Sequence, residues 1–143
     1  MLPESEPVLE PPTAEHKPSL PHDMFVELEQ VGGEPIAVVH VKGTVNRFSG
    51  PRLKDVLSRA LEAGTNQLVI DMTELASVDS SGLGVLVGTL KRARQTGGGL
   101  RLAGANTRLA TILSRTSLDR LLHHHDSVQD AISYFRSSGQ PTS

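Results

Sequence analysis

The 143 residues suffice for one domain with a single hydrophobic core and are too few for two of ordinary size. Aromatic residues make up 3% of the chain and Trp is absent, so Leu, Val, Ile and Ala must build the core, and the stacking platforms of single-strand nucleic-acid binders are missing. The absence of cysteine excludes disulfides, thiolate nucleophiles and Cys-based zinc sites, and the formal net charge of −2 argues against polyanion binding.

Residues 1–22 contain six of the nine prolines, interleaved with Glu, Ser and Thr. Such a segment cannot bury enough apolar surface to offset its ordering entropy, and it is expected to be disordered. It has no basic stretch leading into an apolar one, which argues against a signal peptide. No later apolar run is long enough to span a bilayer, so a cytoplasmic protein with no membrane or nucleic-acid partner is expected. Phe25 to Val31 alternates apolar and polar residues, Gly32-Gly33-Glu34-Pro35 supplies a turn, and Ile36 to Lys42 is β-branched and apolar. The sheet therefore opens with an antiparallel hairpin. Ser49 and Pro51 announce a helix with Leu53, Val56, Leu57, Ala60 and Leu61 on one face, closed by Gly64.

Gln67 to Met72 is a buried strand by the same pattern. After it comes Val78-Asp79-Ser80-Ser81-Gly82-Leu83-Gly84, opening a helix whose apolar residues Leu83, Leu86, Val87, Leu90 and Ala93 repeat up to Gly97-Gly98-Gly99. Leu100 to Ala103 is a short strand, and Asn106 or Thr107 caps a helix carrying Leu109, Ile112 and Leu113. Leu121 to His125 reads as a last strand. Asp126 or Ser127 then caps a final helix with Val128, Ala131, Ile132 and Phe135 inward, and residues 137–143 form a flexible tail. Over residues 23–136 the sum is an α/β domain. Its mixed sheet of four to five strands begins with the hairpin, and about four helices cover it.

The strand-to-helix corner at Asp79-Ser80-Ser81 is the candidate site. A helix start leaves backbone N–H groups unpaired and carries positive dipole charge, which suits a phosphoserine. If Asp79 or Ser80 caps the helix, Ser81 lies in its first turn, and Ser81, Gly84, Val85 and Gly88 share one smooth face. A bare helix cap would by itself account for Asp79, Ser80 and Gly82.

Other residues point less far. In a strand, His123 and His125 share a face while His124 points away, which makes an incomplete metal site. Gly97-Gly98-Gly99 precedes a strand and lacks the Lys and Ser/Thr of a phosphate-cradling loop, so it is a turn. A serine hydrolase elbow around Ser81 would need a Gly where Asp79 stands. Neither enzyme activity, a metal nor a cofactor is expected.

Taken together, Asp71-Met72-Thr73 at a strand end, the Asp79-Ser80-Ser81-Gly82-Leu83-Gly84 corner, Lys91-Arg92 near the helix end, Gly97-Gly98 and the Leu100-Arg101-Leu102 strand resemble the STAS family. More narrowly, they resemble its bacterial anti-sigma factor antagonists, over about residues 24–136. The resemblance implies a non-enzymatic switch. The unmodified protein would bind an anti-sigma factor, usually also a serine kinase of the histidine-kinase-like ATPase type, and so free a sigma factor. Phosphorylation of the second serine of the pair, Ser81, would stop this, and a serine phosphatase would restore it. Asp79, Ser80, Ser81, Gly82, Leu83, Gly84, Val85 and Gly88 would form the docking surface, with Thr44 and Asn46 beside them. Where such antagonists carry Gly-Glu-Leu-Asp, this chain has Gly43-Thr44-Val45-Asn46, without either carboxylate. The alternative is a STAS interaction module that is not phosphorylated, held in a larger regulatory complex, with or without a small ligand.

Overall fold

The computed structural model describes residues 24–104 and 106–138; the Pro-rich N-terminal segment and residues 139–143 of the expected tail lie outside them. Strand β1 (Met24–Gln30) pairs antiparallel with β2 (Ile36–Val45), as the alternating pattern predicts. The Gln30 side chain donates to the backbone oxygens of Glu34 and Ile36 and pins the turn.

β2 runs three residues beyond its expected end and changes partner on the way. Its first half pairs in parallel with β3 (Gln67–Asp71). At Gly43, with φ +89°, the register shifts, and Thr44 and Val45 then pair in parallel with β4 (Leu75–Val78). Only glycine adopts that backbone conformation cheaply, and the resulting irregularity turns the strand end toward a new neighbour. β4 is absent from the reading of the sequence. β5 (Gly99–Ala103) adds to β3 in parallel. The expected strand Leu121–His125 contracts to β6 (His124–His125), because Leu118–Arg120 forms a 3-10 turn and the Leu118 carbonyl accepts from the N–H groups of both Leu121 and Leu122. The described sheet thus has six strands, where the sequence suggests four to five.

Helices α1 (Gly50–Glu62), α2 (Ser80–Gln95) and α3 (Thr107–Arg115) pack on one face of the sheet. Leu53, Leu57, Leu86, Leu90 and Leu109 there meet Val39, Val41, Leu68, Ile70 and Leu102. On the other face α4 (Val128–Ser138) buries Ala131, Ile132 and Phe135 against Ile36, Val38, Val69 and Ala103. It extends two residues past the expected end at 136. The caps follow the side-chain chemistry: Asn106 accepts from the Leu109 N–H at 2.9 Å and Ser127 from the Asp130 N–H at 3.1 Å.

The half of this second face that α4 leaves bare holds a polar row. His40 bonds Asp71 through Nδ1 at 2.7 Å and Glu29 through Nε2 at 2.9 Å. The contact with Glu29 raises the His40 pKa above its ordinary 6.5; burial opposes the rise, and the hydrogen bond to Asp71 and the charges of both carboxylates add to it. Burial pushes the Asp71 carboxyl upward, but hydrogen bonds from Thr73 and His40 outweigh it and hold the group below 3.8. The sign follows from linkage. The raised His40 contributes stability that is complete below pH 6.5 and fades as the pH climbs through its folded value, whereas Asp71 contributes above 3.8 and loses its share as the pH falls. The melting temperature should therefore decline on the alkaline side of 6.5, and His40→Gln should flatten that decline. An unchanged slope in the variant would show that the row does not control stability.

Candidate functional site

Asp79 settles the cap. Its backbone is extended, its Oδ1 accepts from the Gly82 N–H at 3.1 Å, and its own N–H donates to the Val45 oxygen at 3.0 Å. The last bond ties the helix start to the end of β2. One carboxylate thus satisfies an orphan donor of α2 and complements the positive end of the dipole.

Ser80 and Ser81 occupy the first two helical positions, and both are exposed. The Ser81 hydroxyl has no hydrogen-bond partner among the described residues. Gly84 and Gly88 lie exposed on the same helix, and a Cβ built on either meets no atom within 4 Å. Val85, half-buried, completes the face. Two residues of the expected docking set, Gly82 and Leu83, are buried. A Cβ on Gly82 would stand 2.5 Å from Val78 Cγ2 and 2.7 Å from Val45 Cγ1, and Leu83 is 5% exposed within the core. These two residues face inward. They hold the helix start against β2 and β4 and offer no surface to a partner.

Thr44 and Asn46 are brought beside this corner by the pairing of Thr44 with Ser77 and Val45 with Val78. Asn46 Oδ1 accepts from the N–H groups of Phe48 at 2.8 Å and Ser49 at 3.1 Å, so its amide shapes the turn into α1. Ser49, expected to announce that helix, stands at its N-cap position without a side-chain bond to it and donates to the Thr44 oxygen at 2.8 Å. The first residue of α1 abuts the second turn of α2, with the Gly50 Cβ position 3.7 Å from Val85.

One residue at this end of the sheet escaped the reading of the sequence. Phe48 is 70% exposed, with the Arg47 guanidinium carbon 4.8 Å above its ring centre. A large ring left in water is what a partner surface recruits as an anchor. Its only sequence signal is an aromatic residue, in a chain with three Phe and one Tyr, placed in a turn just before a Pro-started helix.

The His–Asp pair that the fold contains, His40–Asp71, presents its far ring nitrogen to Glu29, where a hydrolase would present it to a serine. Among the described residues no group of three or more His, Cys, Asp or Glu is placed to hold a metal ion, and no helix is long and apolar enough to cross a membrane.

Comparison with known proteins agrees with this geometry. An anti-sigma-B factor antagonist from Staphylococcus epidermidis is 27% identical over 106 residues, 74% of this chain and 98% of that one. Among solved structures, a Thermotoga maritima protein assigned as an anti-sigma factor antagonist superposes with a TM-score of 0.72 at 25% identity, covering 78% of this chain and 94% of that chain. SpoIIAA shares the fold in its unphosphorylated form, with a TM-score of 0.68 at 19% identity over 79% of this chain and 97% of that chain. The phosphorylated Bacillus form superposes with a TM-score of 0.62 at 18% identity over 78% and 100%. The STAS domain profile matches residues 26–131, from the first strand into the last helix and across the capped serine corner, and the chain belongs to the STAS domain family.

Proposed function

We propose that this chain is an anti-sigma factor antagonist, a cytoplasmic regulator that binds an anti-sigma factor through the start of α2 and is released when Ser81 is phosphorylated. The observation that carries the reading is the exposed Ser81, without internal hydrogen bonds, in the first turn of a helix capped by Asp79 and bare at Gly84 and Gly88. A partner backbone can approach such a face closely. A phosphate there adds roughly −1.5 to −2 charge beside Asp79, so docking would have to desolvate it. The relatives named as anti-sigma-B factor antagonists support the partner class. The chain would supply the acceptor only; an anti-sigma factor of the histidine-kinase-like ATPase type would phosphorylate it, and a serine phosphatase would reverse the step.

The test is peptide mass spectrometry of the full chain after incubation with ATP and each anti-sigma-factor kinase of its source organism, with Ser81→Ala alongside. A single phosphate on Ser81 from one kinase is expected. A phosphate that persists in Ser81→Ala overturns the assignment of the residue.

Thr44 and Asn46, standing where related antagonists carry acids, favour a second reading in which the chain binds its partner without being phosphorylated. Asn46→Asp separates the two. The aspartate oxygen can accept the same bonds from Phe48 and Ser49, and its charge suits the start of α1. The melting temperature should not fall, and phosphorylation should quicken severalfold. An unchanged rate would remove position 46 from the kinase contact.

A further inference from the structure

At the opposite end of the sheet from Ser81, β5 is left with an open edge. β6 pairs only with Leu102 and Ala103, so among the described residues Gly99 to Arg101 have no strand on the side away from β3. Along β5 the Leu102 N–H donates outward to the His123 oxygen while the Gly99 N–H donates inward to Asn66. By the same alternation, the Leu100 N–H points to the open edge. A cleft of about 130 Å³ lies there, lined among others by Arg94 from the end of α2, Leu100, Arg101, Leu121 and Tyr134.

The charge in this cleft is all of one sign. Arg101 lies over Tyr134, its guanidinium carbon 3.5 Å from the ring centre. Its Nε is buried without a hydrogen-bond partner among the described residues. Neither Arg101 nor Arg94 forms an ion pair among those residues, and no carboxylate lines the cleft. Burial lowers the Arg101 pKa, with Tyr134 opposing and Arg94 adding to the fall; burial, then Arg101 and Arg94, lowers that of His123, with Asp119 opposing. Arg101 is half-buried and Arg94 exposed beside it, and an anion placed between the two guanidinium groups supplies the counter-charge that the cleft lining lacks. A guanidinium held over an aromatic ring has less freedom to lose when it makes two parallel bonds to an oxyanion.

We propose that this cleft binds a tetrahedral oxyanion of the kind a phosphate group presents, held by Arg94 and Arg101 with the Leu100 N–H at its rim. The cavity falls well short of the ~300–1,000 Å³ of a drug-sized pocket. It admits a phosphoryl group on a short stem. The site does not depend on the anti-sigma reading and does not involve Ser81.

Tyr134 makes the test direct, because it is the one Tyr in a chain without Trp, and tyrosine fluorescence therefore reports this cleft alone. The full chain is titrated with inorganic phosphate and, separately, with glycerol phosphate, at constant ionic strength against chloride. A saturable change with either phosphate and none with chloride is expected. The affinity should fall at least tenfold in Arg101→Gln and in Arg94→Gln. Tighter binding of the ester would identify a phosphorylated small molecule as the source, and tighter binding of inorganic phosphate the free ion; both uphold the site. Absence of saturation, a response shared with chloride, or an unchanged affinity in the variants would overturn it and leave Arg101 as a packing partner of Tyr134. Arg94 is exposed on the helix surface, so Arg94→Gln remains informative if Arg101→Gln does not fold.

Discussion

Ser81→Glu is expected to weaken binding to the anti-sigma factor on the order of 100-fold, the effect of placing one unpaired charge in a closed contact. The melting temperature should stay within about 2 °C of the parent. Both halves follow from the same geometry. The hydroxyl has no internal hydrogen bond to lose, and the side chain is exposed. A carboxylate in the first turn gains roughly 0.3–1 kcal/mol from the helix dipole, which offsets its repulsion from Asp79. The Asp79 oxygen is already engaged with the Gly82 N–H, so the cap need not rearrange. In the complex the added charge must be stripped of water against a face with no basic side chain of its own between Ser80 and Gly88. Ser81→Ala should bind as the parent does and be insensitive to kinase. Calorimetric titration with the purified partner, with a thermal melt of each variant, measures the pair of effects. A loss of more than about 4 °C, roughly a kcal/mol for a domain of this size, would mean that Ser81 supports the fold and is no free acceptor.

Much of this arrangement is legible in the sequence wherever a periodic apolar pattern is long enough to dominate. α1, α2 and α4 each carry several turns of one-faced leucines, valines or alanines, and the hairpin alternates through both strands, so their type and position follow from the pattern. β4 does not, because four residues with Ala76 and Ser77 at their centre carry no strand signal of their own. It forms because Gly43 bends β2 toward it, a long-range cause that no local window contains. β6 is shortened for the converse reason: a run that reads as a strand from Leu121 is consumed at its start by hydrogen bonds to Leu118, and only His124–His125 pair. Within the site, the order Asp79-Ser80-Ser81 narrows the cap to Asp79 or Ser80 and places Ser81 in the first turn; the structure chooses Asp79. The division between Gly82 inside and Gly84 and Gly88 outside depends on where Val45 and Val78 stand, and only packing reveals it. Nor could composition show that Arg101 and Tyr134, more than thirty residues apart in the chain, stack across a strand edge.

That division among the glycines predicts opposite outcomes from the same substitution. Gly82→Ala places a methyl 2.5 and 2.7 Å from the side chains of Val78 and Val45, and two strands pinned in the sheet cannot both retreat. Overpacking of this kind costs about 1–3 kcal/mol. The melting temperature should drop by roughly 4 °C or more. Relief would come from lifting the start of α2, which strains the Asp79 bond to Val45 and displaces Ser81, so partner binding should weaken as well. Gly84→Ala meets nothing within 4 Å, and by helix propensity alone it should stabilise the domain by up to about 1 kcal/mol. Its methyl stands on the bare face, where it keeps a partner backbone from closing. This variant should therefore melt higher and bind less tightly, a combination that damage to the fold cannot produce. Thermal melts and titrations of the two proteins under one set of conditions would read it. Full affinity in Gly84→Ala would move the docking surface off this face and onto the turn of Thr44, Asn46 and Phe48. Normal stability in Gly82→Ala would show that the helix start is free to shift, and the phosphate would then act by moving the helix as well as by blocking the contact.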